Sequence, residues 1–209
     1  MTDFAVLRKR SDELAVREWD VPALEDRIRK LTAEGIPRKH LDPAEMMANR
    51  EEILDHVQLL SEEYNFILKN CAQGTALALM EEFGLGDMEV IHALTPFPGI
   101  AGTGEVCGGI IGGLISFGLF FGGRDRLDFV TLNNNIRISQ QFIFRFEEEV
   151  GNRYCSEIIE TVILGHSCNP GQSEEAMNIF TREKGFERCG VPTGIGVRLA
   201  AGFIIDSLK

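Results

Sequence analysis

The chain has 209 residues, 44% of them hydrophobic, and a formal net charge of -11 at neutral pH. That length supports one sizeable hydrophobic core, with an appendage, and does not call for two full domains. So acidic a balance excludes a broad phosphate-binding face, and nucleic acid is not an expected partner. The opening stretch MTDFAVLRKRSDELAVREW has no apolar run and no small-residue cleavage site of the kind an export signal uses, which points to the cytoplasm. In that reducing compartment five cysteines, an odd number, do not read as a structural disulfide framework; metal binding, redox cycling and burial remain.

Residues 1–55 read as a charged helical appendage. Ser11, Asp12, Glu13 and Leu14 cap a first short helix. Asp20, Val21 and Pro22 start a second, with Leu24, Ile28 and Leu31 on a narrow face and Gly35 as its stop. Ile36 and Pro37 break the chain; Asp42 and Pro43 open a further helix running through Met46, Met47 and Ile53. His40 and His56 have no Cys or His at ligand spacing and read as solvated. Residues 56–209 form the cysteine-containing domain.

Over residues 57–83 the period is helical, with Val57, Leu60, Tyr64, Ile67 and Leu68 on one face. Asn70 is placed to cap a helix that begins at Cys71, and Gly84 and Gly86 are stop signals. Cys71 then sits in a first helical turn, where backbone N–H groups and the helix dipole favour a thiolate. Burial as a small residue between two helices is the plainer alternative. Residues 87–94 form a short connecting helix on which His92 is structural.

Residues 95–123, TPFPGIAGTGEVCGGIIGGLISFGLFFGG, are the stretch around which the rest is organised. Pro96, Pro98 and Gly99 stop any earlier helix, Gly102 and Gly104 allow positive φ or a close approach, and a helix starts near Gly104 to Val106. Gly108 and Gly112, and likewise Gly109 and Gly113, lie one turn apart and leave two bare edges where another backbone can come near. The apolar run between Glu105 and Arg124 is at the short limit for crossing a bilayer, and its glycines make it weakly hydrophobic. It reads as an enclosed core or dimer helix rather than a membrane span. The glycines also clear space around the Cys107 sulfur for a metal centre or a disulfide.

After a polar turn at residues 124–128, residues 127–150 read as a long helix, with a break near Asn133 to Asn135 as one option. Cys155 follows the stop at Gly151 and Asn152 and opens the next helix. His166 and Cys168 share a turn but lack a partner pair, so they make a weak ligand signal. Residues 174–184 form an amphipathic surface helix, and Cys189 leads into the last helix. Cys71, Cys107, Cys155 and Cys189 thus each stand at or near a helix start. Carried by four helices, they can converge in the core of an all-α bundle built around the buried glycine-rich helix. No C-x-x-C, C-x-x-C-H, GxxxxGK[ST], HExxH or GxSxG occurs, so zinc-ribbon, c-type haem, P-loop, zincin and serine-hydrolase chemistries have no support.

The segments NCAQGTALAL (70–79), PGIAGTGEVCGGIIGG (98–113), FRFEEEVGNRYC (144–155) and ERCGVPTGIGVRLAAGFIID (187–206) resemble the C_GCAxxG_C_C redox-active protein family, which is related to the carboxy-terminal part of the split-Soret cytochromes. The resemblance spans residues 57–209. It implies a mainly helical, homodimeric redox protein whose cysteines bind an iron–sulfur centre or cycle between thiol and disulfide. The matching positions are Cys71, Cys107, Cys155 and Cys189. Val106 stands where the family has glycine, Cys168 has no counterpart, and the haem-attachment motifs of the split-Soret cytochromes are missing, so no haem is carried over.

Three functions are then in play. An electron-transfer protein would hold an iron–sulfur cluster, of the 2Fe–2S type for example, on Cys71, Cys107, Cys155 and Cys189, with Gly108 and Gly109 backbone N–H groups bonding the sulfurs. A cluster-free thiol–disulfide protein would use Cys71 and Cys107 as its pair. A helical scaffold subunit docking on a redox enzyme would simply bury its cysteines.

Overall fold

The computed structural model describes residues 2–122 and 128–208, and the expected turn at 124–128 lies, but for Asp128, outside them. The described chain is all-α, with no named strand. In order come α1 (Phe4–Ala15), α2 (Val21–Glu34), α3 (Pro43–Ala48), α4 (Arg50–Leu68), α5 (Cys71–Phe83), α6 (Met88–Ala93) and the single turn α7 (Gly99–Gly102). They are followed by α8 (Gly108–Phe121), α9 (Phe129–Val150), α10 (Cys155–Ile158), a π-helical turn (Ile159–Ile163), α11 (Glu174–Arg182), α12 (Gly185–Arg188) and α13 (Gly190–Asp206).

The bundle is built on α4, α5, α8, α9 and α13, and α8 packs against α5, α13 and α9. The two bare edges of α8 meet different neighbours. A Cβ on Gly112 would lie 2.6 Å from the Ala72 carbonyl oxygen and from Thr75 Cβ on α5. On the other edge, a Cβ on Gly109 would lie 2.8 Å from the Pro192 carbonyl oxygen on α13, and one on Gly113 would lie 2.6 Å from the Phe142 ring on α9. Gly196 of α13 answers Gly109, with the Gly109 carbonyl oxygen 2.8 Å from its own would-be Cβ. Only hydrogen at these positions lets the backbones of α5 and α13 and the Phe142 ring of α9 close on α8.

Capping explains most element boundaries. Asp20, Asp42, Asn70, Asp87 and Ser173 each accept a hydrogen bond from a backbone N–H of the turn they open. Several boundaries differ from the sequence expectation. Asp3, not Ser11, caps α1, and Ser11 is buried within it. The helix opened at Pro43 stops at Ala48, and α4 starts afresh at Arg50. The central helix begins at Gly108, later than expected, because Val106 is held in an antiparallel bridge to Tyr154. Helix α9 runs unbroken through Asn133, Asn134 and Asn135; Asn135 donates 3.3 Å to the Phe117 carbonyl of α8, so the amide serves packing instead of a break.

The appendage is stitched onto the bundle. Leu7, Leu14, Leu31, Ile36 and Met46 join the same buried cluster as Leu77, Ile110 and Val197, and the 55/56 boundary falls inside α4. Residues Gly185–Asp206 are long and apolar enough to cross a membrane by length and composition, with 67% of the most apolar window buried in the protein.

Candidate functional site: a four-cysteine junction

Each of the four cysteines is set by the turn before it. Asn70 caps α5 through bonds from the Ala72 and Gln73 amides (3.1 and 3.0 Å), and Asn70 Nδ2 ties that turn to the Thr95 carbonyl. Cys107 is the residue just before α8, and its amide bonds the Arg153 carbonyl at 2.9 Å. Cys155 opens α10, with its amide on the Glu105 carbonyl at 2.6 Å. The two segments 105–107 and 153–155 are thereby laced together. Cys189 joins α12 to α13.

Cys71 and Cys107 meet where α8 enters the bundle, and Cys155 lies under the turn before it. A Cβ on Gly108 would fall 2.2 Å from the Cys71 sulfur, and one on Gly99 would fall 3.1 Å from the Cys155 sulfur. Cys107 is buried, while Cys71, Cys155 and Cys189 are half-buried. All five cysteines are free thiols.

The side chains of Cys71 and Cys107 meet at the head of α8 and shift each other's titration in opposite directions. The Cys107 thiol beside it holds Cys71 below the ordinary thiol range against the opposing effect of burial, and the backbone N–H groups of Gly108, Cys71 and Ala72 add to the lowering. Cys107 is pushed well up, first by the bond to Cys71, then by burial and by the charges of Cys71 and Cys155; the Gly109 N–H pulls slightly the other way. So Cys71 is the more acidic of the two thiols. Burial and then the Cys71 charge push Cys155 up to about 12. The same two causes, with Cys155 and Glu187 added, push Cys189 well up. Of the four thiols only Cys71 is shifted down, while burial and the neighbouring sulfurs shift the other three up.

Cys168 lies apart, with its thiol donating to the Ala176 carbonyl at 3.5 Å. His166 bonds Glu183 at 2.8 Å, and that carboxylate raises its pKa. A single metal ion needs three or four donors aimed at one point. Among the described residues no group of three or more His, Cys, Asp and Glu side chains is so arranged. A mononuclear site does not fit. A two-iron cluster asks for two thiolates on each iron, and the Cys71–Cys107 pair meets half of that requirement.

A family model described as "Putative redox-active protein (C_GCAxxG_C_C)" matches residues 69–201. The chain belongs to that family. The C_GCAxxG_C_C match takes in all four junction cysteines and leaves α1 to α4 outside, so a redox role attaches to the part of the bundle that carries the thiols. Neither a curated protein nor a solved structure matches the chain.

Residue reasoning missed two features of this C_GCAxxG_C_C site. One is the extension of the turn over Cys155: the positive φ expected at Gly102 and Gly104 is present, but Ile100 and Ala101, which are not glycines, share it. The other is Thr75, fully buried and four residues after Cys71, a spacing repeated by Thr193 after Cys189. Positions i and i+4 of a helix share a face, so that spacing was available to find it.

Proposed function

We propose that the protein is a thiol-based redox protein whose working pair is Cys71 and Cys107. What supports this reading is the pairing of the two thiols at the head of α8, where Cys71 packs against Gly108 and the pair shifts Cys71 down and the buried Cys107 up. Cys71, half-buried and the one thiol of the four whose pKa is lowered, is the attacking sulfur. It displaces one sulfur of a partner protein's disulfide, forming a mixed disulfide and releasing a partner thiolate. The Cys107 sulfur then attacks the Cys71 sulfur of that mixed disulfide. The second partner sulfur leaves, the Cys107 proton passes to it, and the first partner thiolate takes its proton from solvent. Two electrons have moved: the partner disulfide is reduced, and Cys71 and Cys107 are joined. A cytoplasmic setting suits such cycling, because it returns the pair to dithiol.

A second reading is supported by the two remaining thiols. Cys155 and Cys189 sit within the electrostatic reach of Cys71, and the Gly108 and Gly109 N–H groups pull the pKa of Cys71 and Cys107 down. An iron–sulfur cluster of the two-iron type would be held by Cys71, Cys107, Cys155 and Cys189 and would supply one-electron transfer when bound. The two N–H donors would stabilise negative sulfur in either case.

One experiment separates the readings. Protein purified without oxygen is assayed for iron and sulfide, then treated with oxidised glutathione and mapped by mass spectrometry. The thiol reading expects colourless, iron-free protein that loses two thiols and yields a Cys71–Cys107 cross-linked peptide. Brown protein carrying iron and sulfide would favour the cluster. Iron-free protein that forms no Cys71–Cys107 link would sink the thiol reading.

A further inference from the structure

Thr75 is fully buried, and its hydroxyl is a polar group without a hydrogen-bond partner. That is unusual for its setting. Thr32, Thr161 and Thr193 donate to the carbonyl four residues back, at 2.8, 2.7 and 2.6 Å. Thr193 does so onto Cys189, in the same Cys-to-Thr spacing that relates Cys71 to Thr75. Thr75 makes no such bond to Cys71.

The α5–α8 seam explains why the hydroxyl has so little else to reach. Thr75 Cβ lies where a Cβ on Gly112 would be 2.6 Å away, and the Cys71 sulfur occupies the equivalent place one turn up, against Gly108. Cys71 and Thr75 therefore line the same face of α5 against the two glycines of one edge. A helical side chain leans toward the N-terminus of its helix, so Thr75 leans toward the turn that holds Cys71. The Gly112 edge that it faces is shared with Ala72 and Ala76, whose side chains offer no acceptor. An orphaned buried hydroxyl is destabilising, and it is retained where another state of the protein uses it.

Resting on the thiol-pair reading above, we propose that Thr75 is a positioning residue for the redox pair: its hydroxyl turns onto the Cys71 sulfur once that sulfur has lost its proton, and has no partner beside the neutral thiol or the disulfide sulfur. The bond favours the reduced pair over the disulfide, because a disulfide sulfur carries no charge to attract it. No acid or base step is assigned to Thr75. It tunes the equilibrium between the two oxidation states of a centre whose bond-making atoms belong to Cys71 and Cys107.

The test is the thiol–disulfide equilibrium of the full chain in glutathione redox buffers, read by trapping free thiols and mapping Cys71 and Cys107. Thr75→Val keeps the shape and removes the hydroxyl. Its equilibrium constant is expected to move about threefold to tenfold toward the disulfide, while Thr75→Ser stays near the wild-type value. Thr75→Val should unfold at the same or higher denaturant concentration, since an orphaned polar group is gone, so a failure to fold does not obscure the result. An unchanged equilibrium constant in Thr75→Val, or a shift that Thr75→Ser shares, overturns the role of Thr75 and leaves the thiol pair standing. A wild-type chain in which Cys71 and Cys107 never link removes the pair and this inference with it.

Discussion

The Cys71 sulfur and the Gly108 Cα face each other so closely that a methyl group on Gly108 would stand 2.2 Å from that sulfur and 2.6 Å from the Ala72 backbone nitrogen. The sulfur could swing aside, but the Ala72 backbone could not without moving α5. Gly108→Ala is therefore expected to cost about 1–3 kcal/mol, as overpacking does, and to break the contact between the two thiols. Gly118, in the same helix, is the control: nothing lies within 4 Å of its would-be Cβ. Gly118→Ala should stabilise by about 0.5–1 kcal/mol through helix propensity alone. Urea midpoints of the two variants should move in opposite directions.

Cys107 lowers the pKa of Cys71 chiefly by hydrogen bonding to it. Replacing Cys107 with Ala removes the donor, so the Cys71 pKa rises and less thiolate is present at neutral pH. Alkylation of Cys71 by iodoacetamide is expected to slow about fivefold, the equivalent of one hydrogen bond. In the wild-type chain Cys71 should be labelled before Cys155, whose pKa near 12 leaves it almost wholly protonated. Peptide mass mapping over time reads both effects, and equal rates at Cys71 in the two proteins would contradict the assigned bond.

How far the sequence reached is clearest at these residues. The glycine rows at 108/112 and 109/113 announced a helix with two close neighbours, because a missing Cβ is visible in the sequence and its consequence is steric. The N-cap at Asn70 was equally legible, since short polar side chains before an apolar period act locally. What stayed hidden depends on partners distant in the chain. The helix start moved from 104–106 to Gly108 because Val106 bridges Tyr154, 48 positions on. The division of labour between Cys71 and Cys107 required knowing which sulfur is buried and which N–H groups point at each. Ser11 looked like a cap and is a core residue, because the start of α1 is set by Asp3.

Glu62 shows how the appendage is locked to the bundle. It is 2% exposed on α4 and accepts from Arg10 at 2.5 Å, from Arg17 at 3.3 Å and from Gln58 at 3.1 Å. It also presses on α13, where a Cβ on Gly194 would lie 2.9 Å from its oxygen. Glu62→Ala strands two arginines, but both are roughly two-fifths exposed and recover solvation, so the expected loss is about 2 kcal/mol, less than for a fully buried pair. Arg10→Ala, which leaves Arg17 and Gln58 in place, should cost about half as much. Chemical denaturation measures both, and limited proteolysis should cut residues 1–20 faster in Glu62→Ala.

The turn over Cys155 makes the last prediction. Ala101 has φ 57° and ψ 29°, the left-handed region that costs a non-glycine residue about 1 kcal/mol. It follows Ile100 at φ 51° and ψ 87°, a harder conformation for a β-branched side chain. The turn is held from several sides: the Ala101 amide bonds the Pro96 carbonyl at 2.7 Å, Thr103 donates to the Gly99 and Ile100 carbonyls, and Ser156 bonds the Gly104 carbonyl through its amide and its hydroxyl. Those bonds impose the backbone, so relief must come from the residue and not from a rearranged loop. Ala101 is exposed, and its methyl contributes little packing. Ala101→Gly should therefore raise stability by about 0.5–1 kcal/mol, the strain released less the entropy glycine adds to the unfolded chain. Because the turn covers Cys155 and not the Cys71–Cys107 pair, the alkylation rate of Cys71 should not change. A destabilised Ala101→Gly would mean that the left-handed geometry at this position carries no strain.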